Sequence, residues 1–121
     1  MTVDPGTADL ETFLATAPDE PFVMLNLMRY AEGGRALYTE YLRRAAPYVE
    51  AAGARVLYLG KGGTPLVGGD AQAWDAVMLV WYPSPAAFTA MVDDPEYVQV
   101  SHLRAQALAA AVLQPSRPLV S

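Results

Sequence analysis

The sequence contains no cysteine and only one histidine among its 121 residues. Without thiols there can be no disulfide framework, no cysteine nucleophile and no thiolate metal site. A single imidazole also supplies no histidine cluster for a transition metal, which leaves only an all-carboxylate site open. The glycine-rich stretch GKGGT lacks the spacing of a phosphate-binding loop. We therefore predict a protein without a metal centre or a dedicated cofactor.

Basic residues are also scarce, with 8 Lys and Arg against 13 Asp and Glu and a formal net charge of −5. Such a surface repels phosphate backbones and anionic lipids, which argues against nucleic-acid and membrane partners. The longest apolar runs, AVMLVWY and ALAAAVL, are far shorter than the roughly 20 residues of a membrane-spanning helix. The opening MTVDPGTADLE has neither the basic nor the apolar region of a secretory signal. These features predict a soluble, cytoplasmic protein.

Charged residues make up only 17% of the chain, whereas hydrophobic residues make up 53%. A chain of this length forms one compact domain, so we expect a single domain over residues 1–121. Because so many apolar side chains must be buried by so short a chain, some are expected to be covered by a second copy. We therefore predict a homodimer.

Four segments have the patterns of helices. Thr7 is a candidate N-cap for a short helix over 7–17, and apolar residues recur at intervals of three and four over 35–52. Pro47 is expected to bend this long helix and Gly53 to end it. Two further helices are predicted by a capping residue followed by proline, Ser84 with Pro85 and Asp94 with Pro95. They are expected over 85–92 and 95–110.

Short apolar segments between the helices predict strands. PFVMLNLMRY (21–30), ARVLYLGK (54–61) and AWDAVMLVWYP (73–83) are too short and too apolar for surface helices. LVGG (66–69) could add a short edge strand, and the tail VLQPSRPLV (112–120) a last strand. The resulting order is βαββαβ with one extra N-terminal helix. This order predicts an α+β, ferredoxin-like fold with an antiparallel sheet and helices on one of its faces.

Three segments carry a resemblance to a known family: VMLNLMRY, the unit YTEYLRRAAPYVEAAGARVLYLGK, and WDAVMLVWYPSPAAFTAMVDDPEYVQVSHLRAQAL. Over roughly residues 5 to 115 the chain resembles the family called domain of unknown function 1330. The resemblance implies a dimeric α/β barrel, in which the four-stranded sheets of two subunits face one another. The superfamily includes cofactor-free oxygenases, lactone isomerases, polyketide-tailoring enzymes and haem-degrading enzymes, so the fold by itself does not define a reaction.

His102 is the residue that most directly suggests acid–base chemistry. With Val98 as the reference and a turn of about 100° per residue, His102 shares a helix face with small side chains at Ala105 and Ala109. An imidazole beside small residues is typical of a pocket, and its pKa suits proton transfer near neutral pH. The alternative is a structural histidine that bonds a backbone carbonyl or lines a subunit contact.

Asn26 interrupts an otherwise apolar strand and shares one strand face with Met24, Met28 and Tyr30. If this face meets the helices, Asn26 could hold a substrate carbonyl or enolate together with His102. The alternative is an amide that satisfies neighbouring backbone groups.

Arginines and aromatic residues complete the candidate site. Arg29 could stabilise developing negative charge, whereas Arg104 is expected at the edge of the last helix; surface or dimer ion pairs are the alternative for both. Aromatic side chains are core residues by default but could form a flat apolar cavity. The residues predicted to contact a ligand are Tyr30, Tyr38, Tyr41, Trp81, Tyr97 and Arg104.

These residues favour a small homodimeric protein that binds a small organic ligand in an apolar pocket. The leading hypothesis is a cofactor-independent enzyme of isomerase, cyclase or oxygenase type that acts on an enolisable or polyketide-like substrate. His102 would move the proton, and Asn26 with Arg29 would hold negative charge. The alternatives are a ligand-binding or assembly module without turnover and, third, a haem-handling protein with His102 as axial ligand.

Overall fold

The computed structural model describes residues 3–120. Over this range the chain forms four α-helices, four strands and one short 3-10 helix, in the order α1 (Thr7–Thr16), β1 (Phe22–Tyr30), α2 (Gly34–Ala51), β2 (Arg55–Lys61), the 3-10 helix (Gly69–Gln72), β3 (Ala76–Tyr82), α3 (Pro85–Asp93), α4 (Pro95–Ala107) and β4 (Leu108–Ser116).

The strands form one sheet in the order β2-β3-β1-β4, and every neighbouring pair is antiparallel. This is the βαββαβ arrangement with α1 added at the start. The predicted α+β, ferredoxin-like fold is therefore confirmed.

Alternation of side chains along the two central strands decides which residues the helices cover. In β1, Phe22, Met24, Asn26 and Met28 are buried, whereas the residues between them are only half-buried. The same alternation in β3 buries Ala76, Met78, Val80 and Tyr82, which pair across the sheet with the buried residues of β1. The sheet thus has a helix-covered inner face and an outer face that no element among residues 3–120 covers.

Local capping interactions set the starts of the last two helices, as predicted. The Ser84 hydroxyl accepts a hydrogen bond from the amide of Ala87 at 3.1 Å, and the Asp94 carboxylate accepts one from the amide of Glu96 at 2.8 Å. Each cap satisfies a backbone N–H that has no partner within the helix.

Three of the predicted elements differ from the structure. The last strand, expected over 112–120, spans Leu108–Ser116. Helix α4 ends at Ala107 instead of residue 110. From Leu108 onward the chain pairs antiparallel with β1, beginning with Leu108 opposite Tyr30. This ladder outweighs the helix propensity of alanine. The segment 66–69 is not a strand: Gly68 and Gly69 have φ values of 108° and 65°, a conformation that a strand does not accommodate, and a 3-10 helix begins at Gly69.

Aromatic packing closes one end of the core. The rings of Phe22 and Tyr82 stack at 5.4 Å on adjacent strands, and Phe88 of α3 meets Tyr82 edge-on at 5.1 Å. Phe13 attaches α1 to this cluster, with its ring 5.3 Å from Phe22. None of the helices between residues 3 and 120 is long and apolar enough to cross a membrane.

Candidate functional site

A cavity of about 520 Å³ lies between the helices and the inner face of the sheet. Its walls come from α2, α4, the central strands and the segment before α1. Most of the surface is apolar and flexible in shape because methionines contribute to it. The apolar wall includes Met24, Met78, Val80, Phe88, Met91 and Leu113.

The cavity opens between α2 and the edge strand β2. Small side chains at Ala45 and Ala46 line it on the helix side. Across from them, Val56 and Leu59 of β2 also line the cavity but remain 52% and 49% exposed. Because the helices leave this edge of the sheet uncovered, a small molecule has a route into the interior.

Asn26 lies on the inner face of β1 and lines the cavity. Its side chain is buried, and its Nδ2 donates a hydrogen bond to the carbonyl of Met24 at 3.1 Å. The face that carries Asn26 is therefore the face that meets the helices, and Asn26 shares the cavity with Tyr38 and Tyr41.

Four buried tyrosines form a cluster around the cavity: Tyr38, Tyr41, Tyr82 and Tyr97. The hydroxyl oxygens of Tyr41 and Tyr97 lie 2.7 Å apart, within hydrogen-bonding distance. Burial raises the pKa of all four hydroxyls, and the positive charge of Arg104 opposes this rise at each of them. The tyrosines are therefore protonated near neutral pH and can serve as hydrogen-bond donors.

Arg104 contributes a buried positive charge to the same cavity. Its side chain is only 5% exposed, and its Nη1 lies 2.5 Å from a carboxylate oxygen of Asp4, while also donating to the carbonyl of Val3. The expected position of Arg104 at the edge of the helix is wrong. Arg104 lies seven positions after Tyr97, which is almost two full turns, so both side chains point inward from one face of α4.

Two polar atoms of the site are buried and have no hydrogen-bond partner within residues 3–120: the hydroxyl oxygen of Tyr38 and Nη2 of Arg104. We call these two atoms the donor pair. Buried polar groups are nearly always hydrogen-bonded, and an exception calls for an explanation. A bound ligand that supplies acceptors would satisfy both atoms.

His102 does not line the cavity, and the expectation that it faces inward is wrong. The inward face of α4 carries Tyr97, Arg104 and Ala107. His102 lies five positions after Tyr97, and five turns of about 100° place the histidine about 140° away from that face. Val98, the reference residue for that expectation, is 40% exposed and does not mark the centre of the buried face.

Three other predicted site residues also lie away from the cavity. Arg29 belongs to the outer face of β1, where its guanidinium donates to the carbonyl of Ala71 at 3.2 Å and stacks 4.7 Å above the ring of Trp74. Trp81 lies on the outer face of β3, beneath Arg55. Tyr30 packs against Tyr38 with ring centroids 5.9 Å apart, but does not itself line the cavity.

The sequence analysis did not identify three polar residues of the site, Asp4, Glu50 and Tyr82. Tyr82 could have been found, because strand alternation places it on the same face as Met78 and Val80. Asp4 gave no such signal, since its contact with Arg104 spans 100 residues of chain.

No cluster of three or more histidine, cysteine or acidic side chains that could hold a metal ion occurs in the described part of the chain. The inner polar groups of the site are the tyrosine hydroxyls, the Asn26 amide and the Arg104 guanidinium, all of which can donate hydrogen bonds, while the carboxylates of Asp4 and Glu50 also line the cavity. This donor set fits an acceptor such as a carbonyl, enolate or carboxylate oxygen.

Solved structures share this fold over most of the chain. A protein of unknown function from Rhodopseudomonas palustris is 30% identical, with a TM-score of 0.89 over 99% of this chain and 98% of its own. The hydroxynitrile lyase from Passiflora edulis is 14% identical, with a TM-score of 0.65 over 86% of this chain and 98% of its own. A dimeric protein of unknown function and ferredoxin-like fold from Bacteroides fragilis is 8% identical, with a TM-score of 0.58 over 81% of this chain and 96% of its own. The two lower identities show the fold alone.

Comparison with curated protein sequences gives no match. The family model described as Domain of unknown function (DUF1330) matches residues 29–114, which include β2, β3, most of β4, the helices α2, α3 and α4, and the buried Arg104. The chain belongs to the DUF1330 family.

Proposed function

We propose that the protein binds a small, largely apolar organic molecule in the helix-side cavity and holds an oxygen of that molecule among Asn26, Tyr38 and Arg104. The observation that carries this proposal is the donor pair, two buried polar atoms in residues that line a cavity large enough for a guest. Leaving such atoms without acceptors costs about 1–3 kcal/mol each. A ligand oxygen would recover this cost, and an apolar body would fill the remaining walls.

The same arrangement supports a second, more specific function, which is cofactor-independent enolisation of a ketone-bearing or polyketide-like substrate. Arg104 and Asn26 could stabilise the negative charge that develops on an enolate oxygen. The protonated tyrosines could donate hydrogen bonds to that oxygen or return a proton to it. The proton removed from carbon would pass to a carboxylate at the cavity, either Asp4 or Glu50.

His102 has no part in this proposal, because its side chain is exposed and lies on the far side of α4. The haem-handling alternative rested on His102 alone and loses its support for the same reason. The alternative of a binding module without turnover is compatible with the cavity, and enolisation is what distinguishes the two.

Binding is tested with methionines labelled at their methyl carbons. Met24, Met78 and Met91 line the cavity, whereas Met28 is fully buried beside it and serves as an internal control. A ring-bearing enolisable ketone, phenylacetone, should shift the first three methyl signals and leave that of Met28 in place. Ala45→Leu, which fills the cavity, should abolish the shifts, whereas Ala86→Leu on the exposed side of α3 should not. Shifts that survive Ala45→Leu would contradict the proposed location.

Turnover is tested in deuterated water. An enolising enzyme exchanges the carbon-bound protons next to the ketone of phenylacetone for deuterium faster than buffer does, and Glu50→Gln or Asp4→Asn should slow that exchange. Binding without accelerated exchange would favour the non-catalytic alternative.

A second copy of the chain is proposed to cover the outer face of the sheet. This face carries half-buried apolar side chains on both central strands: Val23, Leu25, Leu27, Val77, Leu79 and Trp81. A contiguous apolar patch of this kind is typical of an interface. The structurally similar Bacteroides fragilis protein is described as dimeric, which supports a homodimer. The apolar outer face favours a pairing of sheet against sheet.

A further inference from the structure

The segment before α1 acts as a strap over the cavity. Residues 3–6 precede α1, and Asp4 and Pro5 from this strap line the cavity together with Leu10. The strap is fastened at Arg104, whose Nη1 donates hydrogen bonds to both the carboxylate of Asp4 and the carbonyl of Val3. One wall of the cavity therefore depends on this contact.

The two partners of the Asp4–Arg104 ion pair differ in their access to water. The Arg104 side chain is 5% exposed, whereas that of Asp4 is 42% exposed. A buried guanidinium needs an anionic or strongly polar partner to offset its desolvation. A carboxylate at the surface does not, because water can solvate it. Asp4 can therefore leave Arg104, provided that another carboxylate replaces it.

Asp4 also uses only part of the bonding capacity of Arg104. It contacts Nη1, while Nη2 belongs to the donor pair. A carboxylate that approached from the cavity could bond both terminal nitrogens side by side, which is the stronger arrangement of an arginine–carboxylate pair. Such an exchange leaves the charge at Arg104 balanced, because one carboxylate takes the place of another.

We propose that the ligand of this cavity carries a carboxylate, which displaces Asp4 from Arg104 and thereby releases the strap. The inference rests on the proposed small-molecule binding and adds the chemical class of the ligand and the device that admits it. Asp4 serves as an internal stand-in for the ligand's carboxylate. The apolar body of the ligand lies against the methionine-lined wall of the cavity.

The test compares octanoate with octanamide, which has the same chain length and a neutral head group. Methyl signals of Met24, Met78 and Met91 report entry into the cavity, and titration gives the Kd of each compound. Octanoate should bind about tenfold more tightly than octanamide or better, as expected for the loss of one charge-assisted pair. Nuclear relaxation of the Asp4 and Gly6 amides should show the strap becoming mobile with octanoate and not with octanamide.

Variants separate the exchange from simple charge attraction. Asp4→Asn removes the carboxylate that competes with the ligand for Arg104. The affinity for octanoate should therefore rise by about tenfold, in proportion to the increase in the fraction of molecules whose strap is released. Glu40→Gln is the matched control, because Glu40 also pairs with arginines, Arg43 and Arg44, but lies on the exposed face of α2 away from the cavity. It should leave octanoate binding unchanged.

Five outcomes would overturn the inference. Equal affinities for octanoate and octanamide would show that the cavity does not recognise a carboxylate. Unchanged or weaker octanoate binding in Asp4→Asn would show that the ligand does not displace Asp4. An immobile strap in the octanoate complex would do the same. If phenylacetone shifts the cavity methionines while octanoate does not, the carboxylate inference fails and the proposed binding function stands. If none of the three compounds shifts them, both fail together.

Discussion

The hydroxyl oxygens of Tyr41 and Tyr97 lie 2.7 Å apart and join α2 to α4 inside the protein. Tyr97→Phe would leave the Tyr41 hydroxyl buried without its partner, which we expect to lower the free energy of unfolding by about 1–2 kcal/mol. The double variant with Tyr41→Phe should cost less than the sum of the two single variants, because no unpaired hydroxyl remains. Urea denaturation measures all three, and strict additivity would contradict a direct interaction.

Tyr38 should behave in the opposite way. Its hydroxyl has no partner among the described residues, so Tyr38→Phe removes a buried polar atom that makes no hydrogen bond. We expect the variant without ligand to be as stable as the natural protein or up to about 1 kcal/mol more stable. The same variant should bind phenylacetone and octanoate several-fold more weakly. A loss of stability comparable to that of Tyr97→Phe would show that the hydroxyl has a structural partner.

Alkaline pH should unfold the protein through its tyrosines. Burial raises the pKa of Tyr38, Tyr82 and Tyr97 above the value of 10.0 that applies to a solvated phenol. The folded protein therefore retains these protons at a pH where the unfolded chain releases them. Stability from this source is fully present below pH 10 and falls as the pH rises above it.

Near-ultraviolet absorbance and circular dichroism check this expectation together. Ionisation of the buried tyrosines should coincide with the cooperative loss of structure. In Tyr82→Phe the pH dependence of the free energy of unfolding above pH 10 should be shallower. Ionisation of these tyrosines well before unfolding would show that they are accessible to water.

His102→Ala should have little effect, since the imidazole is exposed and does not line the cavity. We expect a change in stability within about 0.5 kcal/mol and unchanged ligand affinity. Asp4→Ala is the contrasting variant, because it leaves the buried guanidinium of Arg104 without its carboxylate and should cost up to about 3 kcal/mol. Loss of ligand binding or of proton exchange in His102→Ala would show that His102 takes part in the functional site.

Leu79→Lys should prevent association through the outer face of the sheet. Leu79 is half-buried and pairs directly with Leu25 at the centre of that face, so a lysine there would bury an unpaired charge in a dimer. Light scattering should give the mass of a dimer for the natural protein and of a monomer for the variant. Leu14→Lys, at an exposed leucine of α1, is the control and should remain dimeric. A natural protein that is monomeric at micromolar concentration would refute the pairing.

Helix caps and strand alternation made much of the architecture predictable. Ser84 and Asp94 mark helix starts through contacts within three residues, and the period of two along β1 assigns Asn26 and Met24 to one face. These features depend on neighbouring residues, so they can be predicted from one sequence. The end of α4 could not be predicted in this way, because the pairing of Leu108 with Tyr30 joins distant parts of the sequence.

The orientation of α4 shows why the site was harder to predict than the fold. Small and apolar residues occur around much of this helix, so its composition does not mark one face as buried. If Val98 is placed at the centre of the buried face, His102 points inward; if Tyr97 is placed there, Arg104 points inward instead. Packing against α2 settles it, through the hydrogen bond between Tyr97 and Tyr41.

The sequence by itself determined the order of elements, the antiparallel ferredoxin-like sheet and the position of Asn26 on the same strand face as Met24, because periodicity and capping are local features. Only the tertiary structure decided that the Asn26 face meets the helices, that Tyr82 joins the predicted tyrosines at the cavity and that Asp4 closes over it. Asp4 and Arg104 come from opposite ends of the chain, and their contact across 100 residues has no local signature. The contact forms because a buried charge needs a partner, and Arg104 becomes buried only once the helices have packed.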